Sequence, residues 1–94
     1  MEKSTHTPEY AELRAELLRV RKSAGMSQRE LAERLGVPHS WIAKVESGER
    51  RIDLIEFCWF LAACGADARE LAERMIDTIE KRERPKAPRS RRSK

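Results

Sequence analysis

The sequence is poor in the residues on which metal and cofactor chemistry depends. Its 94 residues include two histidines and two cysteines, and only 5% are aromatic. His6 and His39 are far apart in the chain, and no CxxC or Cys/His cluster is present. Because zinc sites need several such ligands at characteristic spacings, we expect no metal and no cofactor.

The same scarcity argues against catalysis. No paired carboxylates lie in an apolar setting, no glycine-rich phosphate loop occurs, and two histidines cannot supply a Ser/His/Asp set when His6 lies at a frayed terminus. A chain of 94 residues also buries only a small core, which leaves little room for a catalytic cavity. We therefore expect a protein that is not an enzyme.

Strand-forming residues and long apolar runs are also lacking. Three Val, five Ile and three Thr are scattered without alternation, so the predicted class is all-α. No stretch has the pattern of a signal peptide or the length of a transmembrane helix, so we expect a cytoplasmic protein without a membrane partner. Cys58 and Cys64 lie six residues apart on one helix, which prevents them from pairing, and we expect buried, reduced thiols.

Charged residues are abundant, at 38% of the sequence, and unevenly distributed. The net charge is −2 over residues 1–18, +4 over residues 19–51, −4 over residues 52–83 and +6 over residues 84–94. A basic block over a compact unit is typical of a protein with a polyanionic partner. An ordinary solvated surface would give the same pattern, so charge alone leaves both interpretations open.

Capping signals and apolar periodicity predict five helices. The predicted starts are Thr7, Ser27, Pro38, Asp53 and Asp67, and each of the first four helices ends at a glycine. The fifth helix is expected over about residues 67–83. The fourth is apolar almost all round, which indicates a helix that is central to the fold or shared with a second subunit.

Residues 27–47 read as two short helices joined by a tight turn at Gly36-Val37-Pro38. Such a turn makes the helices cross steeply, so that the first lies across a phosphate backbone while the second enters the major groove. The second helix suits that position, because Ile42 and Val45 form its inner face. Its expected outer face consists of small and polar side chains: His39, Ser40, Ala43, Lys44 and Ser47.

A specific series of motifs runs through this unit. Arg21 is followed, in fixed register, by Gly25-Met26-Ser27-Gln28, Leu31-Ala32, Leu35-Gly36-Val37, Ile42 and Val45-Glu46-Ser47-Gly48-Glu49-Arg50. With these motifs the chain resembles the Cro/phage-repressor family of helix-turn-helix regulators, also called the xenobiotic-response-element (XRE) family, over roughly residues 9–66. The resemblance implies a five-helix repressor-like domain that binds double-stranded DNA.

The resemblance also implies roles for individual positions. Base edges are contacted at the positions of His39, Ser40 and Lys44. Phosphates are contacted at the positions of Gln28, Ser47, Arg50 and Arg51. The positions of Arg21 and Glu46 form a structural ion pair between the first and third helices.

The chemistry of the side chains agrees in part with these roles. Lys44 suits guanine O6 and N7 or a phosphate, while Ser40 and His39 donate or accept hydrogen bonds. Each could equally belong to a solvated face, and His39 could simply complete the turn. At the start of the first helix of this two-helix unit, just after Ser27, Arg29 lies beside backbone N–H groups that favour a phosphate.

Three further positions in or just before this groove-entering helix are open to more than one interpretation. Trp41 could pack under the first helix, touch a thymine methyl or contact a sugar-phosphate ridge, and Ala43 is a further possible base contact. Pro38 replaces a residue that is often a Ser or Thr N-cap in this family. We expect proline at the first helical position, with Val37 as a poor cap.

A single reading helix contacts too few base pairs for useful specificity, so we expect a homodimer on an inverted repeat. Half-sites would then be about 34 Å apart. The candidate interface residues are Phe57, Trp59, Phe60, Met75, Ile76 and Ile79. Alternatively, the fifth helix simply covers the fourth within one chain.

The predicted domain spans residues 7–83, between ends expected to be disordered at residues 1–6 and 84–94. The basic tail could add phosphate contacts, reach into a minor groove or have no function. The predicted function is a sequence-specific transcription regulator, a repressor, encoded by a bacterium or phage and associated with the nucleoid. The alternatives are an antitoxin that binds its toxin through the C-terminal region and regulates its own synthesis, or a phage or restriction-system control protein.

Overall fold

Five α-helices make up residues 7–82, the part of the chain that the computed structural model describes. They are α1 (Pro8–Ser23), α2 (Gln28–Leu35), α3 (His39–Ser47), α4 (Leu54–Ala63) and α5 (Ala68–Lys81). Within these residues there is no strand, so the predicted all-α class is confirmed. The expectations for residues 1–6 and 84–94 fall outside the described range.

Side-chain caps begin four of the helices where the sequence predicts them. Thr7 caps α1, accepting a hydrogen bond from the third backbone N–H beyond it. Ser27 and Asp53 each exchange two hydrogen bonds with a glutamate three residues on, which confirms the capping boxes of α2 and α4. At α5, Asp67 accepts from the backbone N–H of Glu70 at 3.3 Å, but the reciprocal bond is not formed.

The start of α3 differs from the prediction. Pro38 is itself the N-cap, with φ −62° and ψ 149°, and its side chain caps nothing. The expectation that it would be the first helical residue, with Val37 as cap, is wrong because the extended ψ leaves it outside the helix. Its carbonyl oxygen accepts from the Trp41 N–H at 2.9 Å. The helix therefore begins with His39 and Ser40, whose backbone N–H groups find no acceptor within residues 7–82.

A three-residue turn joins α2 to α3. The backbone N–H groups of Gly36 and Val37 return to the carbonyl oxygens of Glu33 and Ala32 at 3.2 and 3.0 Å. Gly36 has φ +71°, and a Cβ there would meet nothing within 4 Å. Glycine is therefore favoured at this turn by the left-handed backbone, not by lack of space.

One apolar core holds the helices together. Helix α1 packs against α3, α4 and α5, whereas α2 packs against α3 and α4. This arrangement buries one side of α3 and leaves its other side uncovered. The core side chains are Leu17, Val20, Leu31, Ala32, Ile42, Val45, Ile52, Phe57, Phe60, Leu61, Leu71 and Met75.

Ion pairs attach α5 to α1, away from the uncovered side of α3. Arg82, just after α5, contacts Glu12 at 2.6 Å, and Arg74 contacts Glu16 at 3.5 Å. Such partly exposed pairs contribute little stability on their own. They link α5 to α1 at two places, while Leu71 and Met75 of α5 are buried in the core.

Candidate nucleic-acid interface

The outer face of α3 carries the side chains that the sequence predicts to contact bases. At about 100° of rotation per residue, they occupy an arc of about 140°. Ile42 and Val45 point the opposite way and are fully buried. We call this arc the reading face; it consists of His39, Ser40, Ala43, Lys44 and Ser47, all exposed except Ala43, which is half-buried.

A buried ion pair borders the reading face on one side. Arg21 donates to the two carboxylate oxygens of Glu46 from Nε at 2.7 Å and from Nη2 at 3.0 Å. The two side chains are only 9% and 6% exposed. The hydrogen bond to Glu46 raises the pKa of the Arg21 guanidinium above its ordinary value, although burial opposes the shift. This pair connects α1 with α3.

Gln28 joins the same cluster from the start of α2. Its Nε2 donates to Oε1 of Glu46 at 2.8 Å, which braces α2 against α3. One of its two amide hydrogens is thus in use, and the other stays available for the phosphate contact implied for Gln28. Arg29 beside it is exposed at the helix start.

Trp41 and Arg50 border the reading face on the other side. Trp41 is half-buried and packs against the core. The guanidinium carbon of Arg50 lies 4.8 Å from the centroid of the Trp41 ring, within range of a cation–π interaction. Trp41 therefore serves as a packed platform whose outer surface holds a cation.

Arg50 also pairs with Glu56 in the first turn of α4, a contact that the sequence analysis missed. Its Nη1 and Nη2 donate to the two carboxylate oxygens at 3.2 and 3.1 Å, and Nη1 donates to the Arg51 carbonyl oxygen at 2.7 Å. The hydrogen bonds from Arg50 lower the pKa of the Glu56 carboxyl, and the backbone N–H of Asp53 acts in the same direction. Arg50 is therefore fixed by its neighbours before any ligand binds.

Arg14 is a second residue that the sequence analysis missed. It extends from α1 to the C-terminal end of α3, where its Nη1 donates to the Glu46 carbonyl oxygen at 3.4 Å. Gly48 ends α3 with φ +89°, and a Cβ there would lie 3.0 Å from Nε of Arg14. A cation is favoured at a helix C-terminus. A single arginine on an amphipathic helix gives no sequence signal for this contact.

Ser47, the last residue of α3, and Arg51, four residues further on, complete the candidate interface at the C-terminal end of the reading helix. The Ser47 hydroxyl donates to the Lys44 carbonyl oxygen at 3.2 Å and accepts from the Glu49 N–H at 3.4 Å, so it also caps the helix end. Arg51 is exposed, and its guanidinium makes no hydrogen bond within the described range. Together with Lys44 it presents positive charge to solvent.

The candidate dimer residues divide between the core and the surface. Phe57, Phe60 and Met75 belong to the core of the single chain, whereas Ile76 and Ile79 are exposed on α5. On α4, Trp59 is 60% exposed and lies within an exposed arc of about 140°. We call this arc the outer face of α4; it consists of Leu54, Ile55, Cys58, Trp59 and Ala62.

The two cysteines have different environments. Cys58 was expected to be buried but is exposed on the outer face of α4, because the buried arc of that helix is occupied by Phe57, Phe60 and Leu61. Cys64 is half-buried, and burial raises the pKa of its thiol. The exposed side of α4 is therefore apolar but carries one accessible thiol.

The fold and this surface define a helix-turn-helix protein with an uncovered reading helix. None of the helices in residues 7–82 is long and apolar enough to cross a membrane. The same residues contain no group of three or more His, Cys, Asp or Glu side chains that could hold a metal ion.

Comparisons with known proteins agree with this class. The family model described as a helix-turn-helix domain matches residues 12–74. The chain is 40% identical to an XRE-family like protein from Pseudomonas syringae pv. tomato str. DC3000, with a TM-score of 0.74 over 80% of this chain and 92% of that one. No curated protein matches the chain. The chain belongs to the helix-turn-helix family, in its XRE/Cro type, and is a DNA-binding transcription regulator.

Proposed function

We propose that this regulator recognises DNA by placing α3 in the major groove, with the reading face towards the bases. The observation that carries the proposal is the division of α3 into a buried side and an uncovered side. The side chains of Lys44, Ser40 and His39 are exposed and play no part in the core. The groove is about 12 Å wide and admits one helix.

The base contacts follow from the chemistry of these side chains. Lys44 donates to the acceptor edge of a guanine, Ser40 donates or accepts, and His39 contributes at the first turn of the helix. Ala43, between them, is small enough to let the helix approach and can touch a thymine methyl. Trp41 packs beside this face and supports it.

Phosphate contacts on either side of α3 would fix its orientation. Gln28 and Arg29 would bind the backbone at the start of α2. Ser47 would bind it at the end of α3, and Arg50 and Arg51 just beyond that end. Gln28 and Arg29 form the first turn of α2, Ser47 is the last residue of α3, and Arg50 and Arg51 follow α3 closely. This placement supports a groove-bound α3 with phosphates on both flanks.

We further propose that the regulator acts as a homodimer on an inverted repeat and represses transcription by occupying promoter DNA in the bacterial cytoplasm. The outer face of α4 supports dimerisation, because a face of apolar side chains with Trp59 60% exposed is costly to leave in water. A two-fold pair would bring two reading helices to half-sites about 34 Å apart.

Selection of bound DNA from a random pool, at a stated salt concentration, tests this function. We expect an inverted repeat with one half-site for each subunit. Lys44→Ala should change the preferred base at one position of each half-site, whereas the same change at exposed Lys81 of α5 should not. Enrichment of no common sequence would contradict sequence-specific reading.

Sedimentation equilibrium tests the dimer. We expect a mass of two chains at tens of micromolar for the wild type, and of one chain for Trp59→Arg, because a charge would be placed in the proposed interface. Circular dichroism of the variant should remain that of a folded helical protein. A wild-type mass of one chain under these conditions would contradict the homodimer.

The outer face of α4 also fits the alternative in which the chain is an antitoxin. A toxin would then cover this apolar face, and DNA binding would regulate synthesis of the pair. Co-purification of a second protein at a fixed ratio, lost in Trp59→Arg, would favour this function. Purification of the chain alone, as a homodimer in which the outer face of α4 is buried, would favour the homodimeric repressor.

A further inference from the structure

Arg21 and Arg50 are both paired with a glutamate, but through different edges of the guanidinium. This group has five N–H donors, of which the Nε–H and one Nη2–H point side by side from the same edge. Arg21 uses that edge for Glu46, with Nε at 2.7 Å and Nη2 at 3.0 Å. No second anion can bind Arg21 in the same way.

Arg50 binds its glutamate through the other edge, which is formed by Nη1 and Nη2. Glu56 accepts from Nη1 and Nη2 at 3.2 and 3.1 Å, and the remaining Nη1 hydrogen is directed to the Arg51 carbonyl oxygen at 2.7 Å. Within residues 7–82, no acceptor contacts the Nε–H or the second Nη2–H of Arg50. The Arg50 side chain is 39% exposed, compared with 9% for Arg21.

The unused Nε and Nη2 edge of Arg50 can donate two parallel hydrogen bonds to two oxygens of one phosphate. Arginine commonly binds phosphate through two parallel N–H···O bonds. Trp41 limits the orientation of the guanidinium plane, because the group lies over the ring at 4.8 Å from its centroid. Much of the side-chain entropy that an arginine loses on binding an anion has therefore already been lost on folding.

We propose that Glu56 and Trp41 are positioning residues that hold Arg50 as a preformed clamp for one DNA backbone phosphate. The clamp lies beside the reading face, since Trp41 belongs to α3, and it is anchored to α4 through Glu56. The inference rests on the proposed function, because it requires a DNA backbone alongside α3. Glu56 itself does not contact the phosphate and affects DNA binding only through Arg50.

The positioning role predicts a change in DNA affinity opposite in sign to the one that simple electrostatic repulsion predicts. Removing a carboxylate close to DNA normally strengthens binding, because it removes repulsion from the phosphates. If Glu56 positions Arg50, removing its charge weakens binding instead. Glu56→Gln separates the two effects and preserves the N-terminal cap of α4, since either Glu or Gln completes a capping box.

Glu30→Gln is the matched control. Glu30 holds the same position in the capping box of α2, where its carboxylate accepts from the Ser27 N–H at 2.8 Å. It is exposed and has no arginine partner within the described residues. The two variants therefore make the same change of charge at the same capping-box position, and only Glu56→Gln removes the charged partner of an arginine.

The experiment measures the affinity of the full chain for its selected DNA at several salt concentrations. We expect Glu56→Gln to bind about tenfold more weakly, as for removal of a hydrogen bond to a charged group. The slope of log K against log salt should fall by about 0.9 for each phosphate that is no longer neutralised. Glu30→Gln should bind as tightly as the wild type, or more tightly.

A double-mutant cycle distinguishes positioning from a general structural effect. In an Arg50→Ala background, Glu56→Gln should no longer weaken binding, because no clamp is left to disturb. Equal weakening in both backgrounds would overturn the inference, as would tighter binding of Glu56→Gln alone.

Arg50→Lys provides an independent test that leaves α4 unchanged. It keeps the charge but lacks the paired N–H edge, so we expect weaker binding than for the wild type. Wild-type affinity in this variant would overturn the clamp. If the wild-type chain itself selects no sequence, the proposed function fails, and that result differs from any of these outcomes.

Discussion

Single residues differ in how closely backbone and neighbours constrain them, and the end of the reading helix is the most constrained. At Gly48, both the left-handed backbone and the nearby Arg14 side chain disfavour any residue with a Cβ. At Glu46, three donors meet one carboxylate: two nitrogens of Arg21 and the amide of Gln28. Substitutions at these positions should affect stability without any direct effect on base recognition.

Gly48→Ala should lower the free energy of unfolding by about 1–2 kcal/mol from the left-handed backbone alone. It should lower it further because the new Cβ lies 3.0 Å from Nε of Arg14. Gly36→Ala is the matched control, with φ +71° and no atom within 4 Å. Urea denaturation measures both variants. Equal losses of unfolding free energy in the two variants would show that contact with Arg14 adds nothing to the cost of Gly48→Ala.

Glu46→Ala should destabilise the chain by about 3–5 kcal/mol, because Arg21 is left buried without its partner. Thermal and urea denaturation measure the loss. The sequence selected from a random pool should stay the same, since Glu46 faces Arg21 and not the reading face. Glu49→Ala, at an exposed neighbouring position, is the control and should leave the melting temperature nearly unchanged. An unaltered melting temperature in Glu46→Ala would refute the stabilising role.

The Arg50–Glu56 pair should make part of the stability depend on pH. Arg50 holds the pKa of Glu56 below its ordinary value of 4.5, so the charged carboxylate is favoured in the folded state. This contribution is complete above pH 4.5 and is lost as the pH falls through the lowered folded pKa. The stability difference between wild type and Glu56→Gln, measured by urea denaturation, should therefore shrink with acidification. A difference that is constant with pH would contradict the pairing.

Among the elements, α4 shows best where sequence-based prediction stops. Its apolar residues cover nearly the whole circumference, so periodicity could not decide which arc faces the core. The structure buries Phe57, Phe60 and Leu61 and exposes Trp59 and Cys58. Only the positions of the neighbouring helices determine this choice, and they depend on contacts distant in sequence.

Local signals, in contrast, were sufficient for most helix starts. Ser27 and Asp53 cap their helices through residues three positions away, and such bonds are visible in the sequence. Pro38 was misplaced because its preference for the first helical position competed with an extended conformation that the turn imposes. The Arg50–Glu56 pair crosses a loop with no periodicity, so no pattern indicated it.

Phe60→Ala and Trp59→Ala should differ in their effect on stability, because they change the buried and the exposed side of α4, respectively. Phe60 is fully buried, and its truncation should cost about 3–5 kcal/mol through lost packing and the cavity that remains. Trp59 is 60% exposed, so its truncation should change the stability of the isolated chain much less. Urea denaturation at protein concentrations low enough to exclude association measures both. A larger loss for Trp59→Ala would mean that the outer face is packed within the chain.

At the scale of the whole molecule, charge and fold give the protein a polarity. Residues 19–51, which include α2 and α3, carry a net charge of +4, whereas residues 52–83, which include α4 and α5, carry −4. The positive block includes the reading helix, and its excess of basic residues lies in the segments before and after α3. Such a distribution attracts DNA to one side of the protein and turns the other side away during the encounter.

Removing residues 84–94, which carry a charge of +6, should weaken DNA binding similarly for all sequences. Interactions with the DNA backbone carry no sequence information, so the selected half-site should be unchanged. The slope of log K against log salt should fall in proportion to the number of phosphates that the tail neutralises. Replacing the six Lys and Arg residues of the tail by Gln, at constant chain length, is the control for chain length and should have the same effect. A changed base preference would show that the tail reads a groove.

The reading face has a consequence for how this protein can change its target. His39, Ser40 and Lys44 take no part in the core, and among residues 7–82 their side chains make no hydrogen bond or ion pair with another element. Replacing them should therefore leave the fold nearly as stable as before, since exposed substitutions of this kind usually cost little. New operator preferences are then reachable one substitution at a time, each through a folded intermediate. The same scaffold can be retargeted, by evolution or by design, without rebuilding its interior.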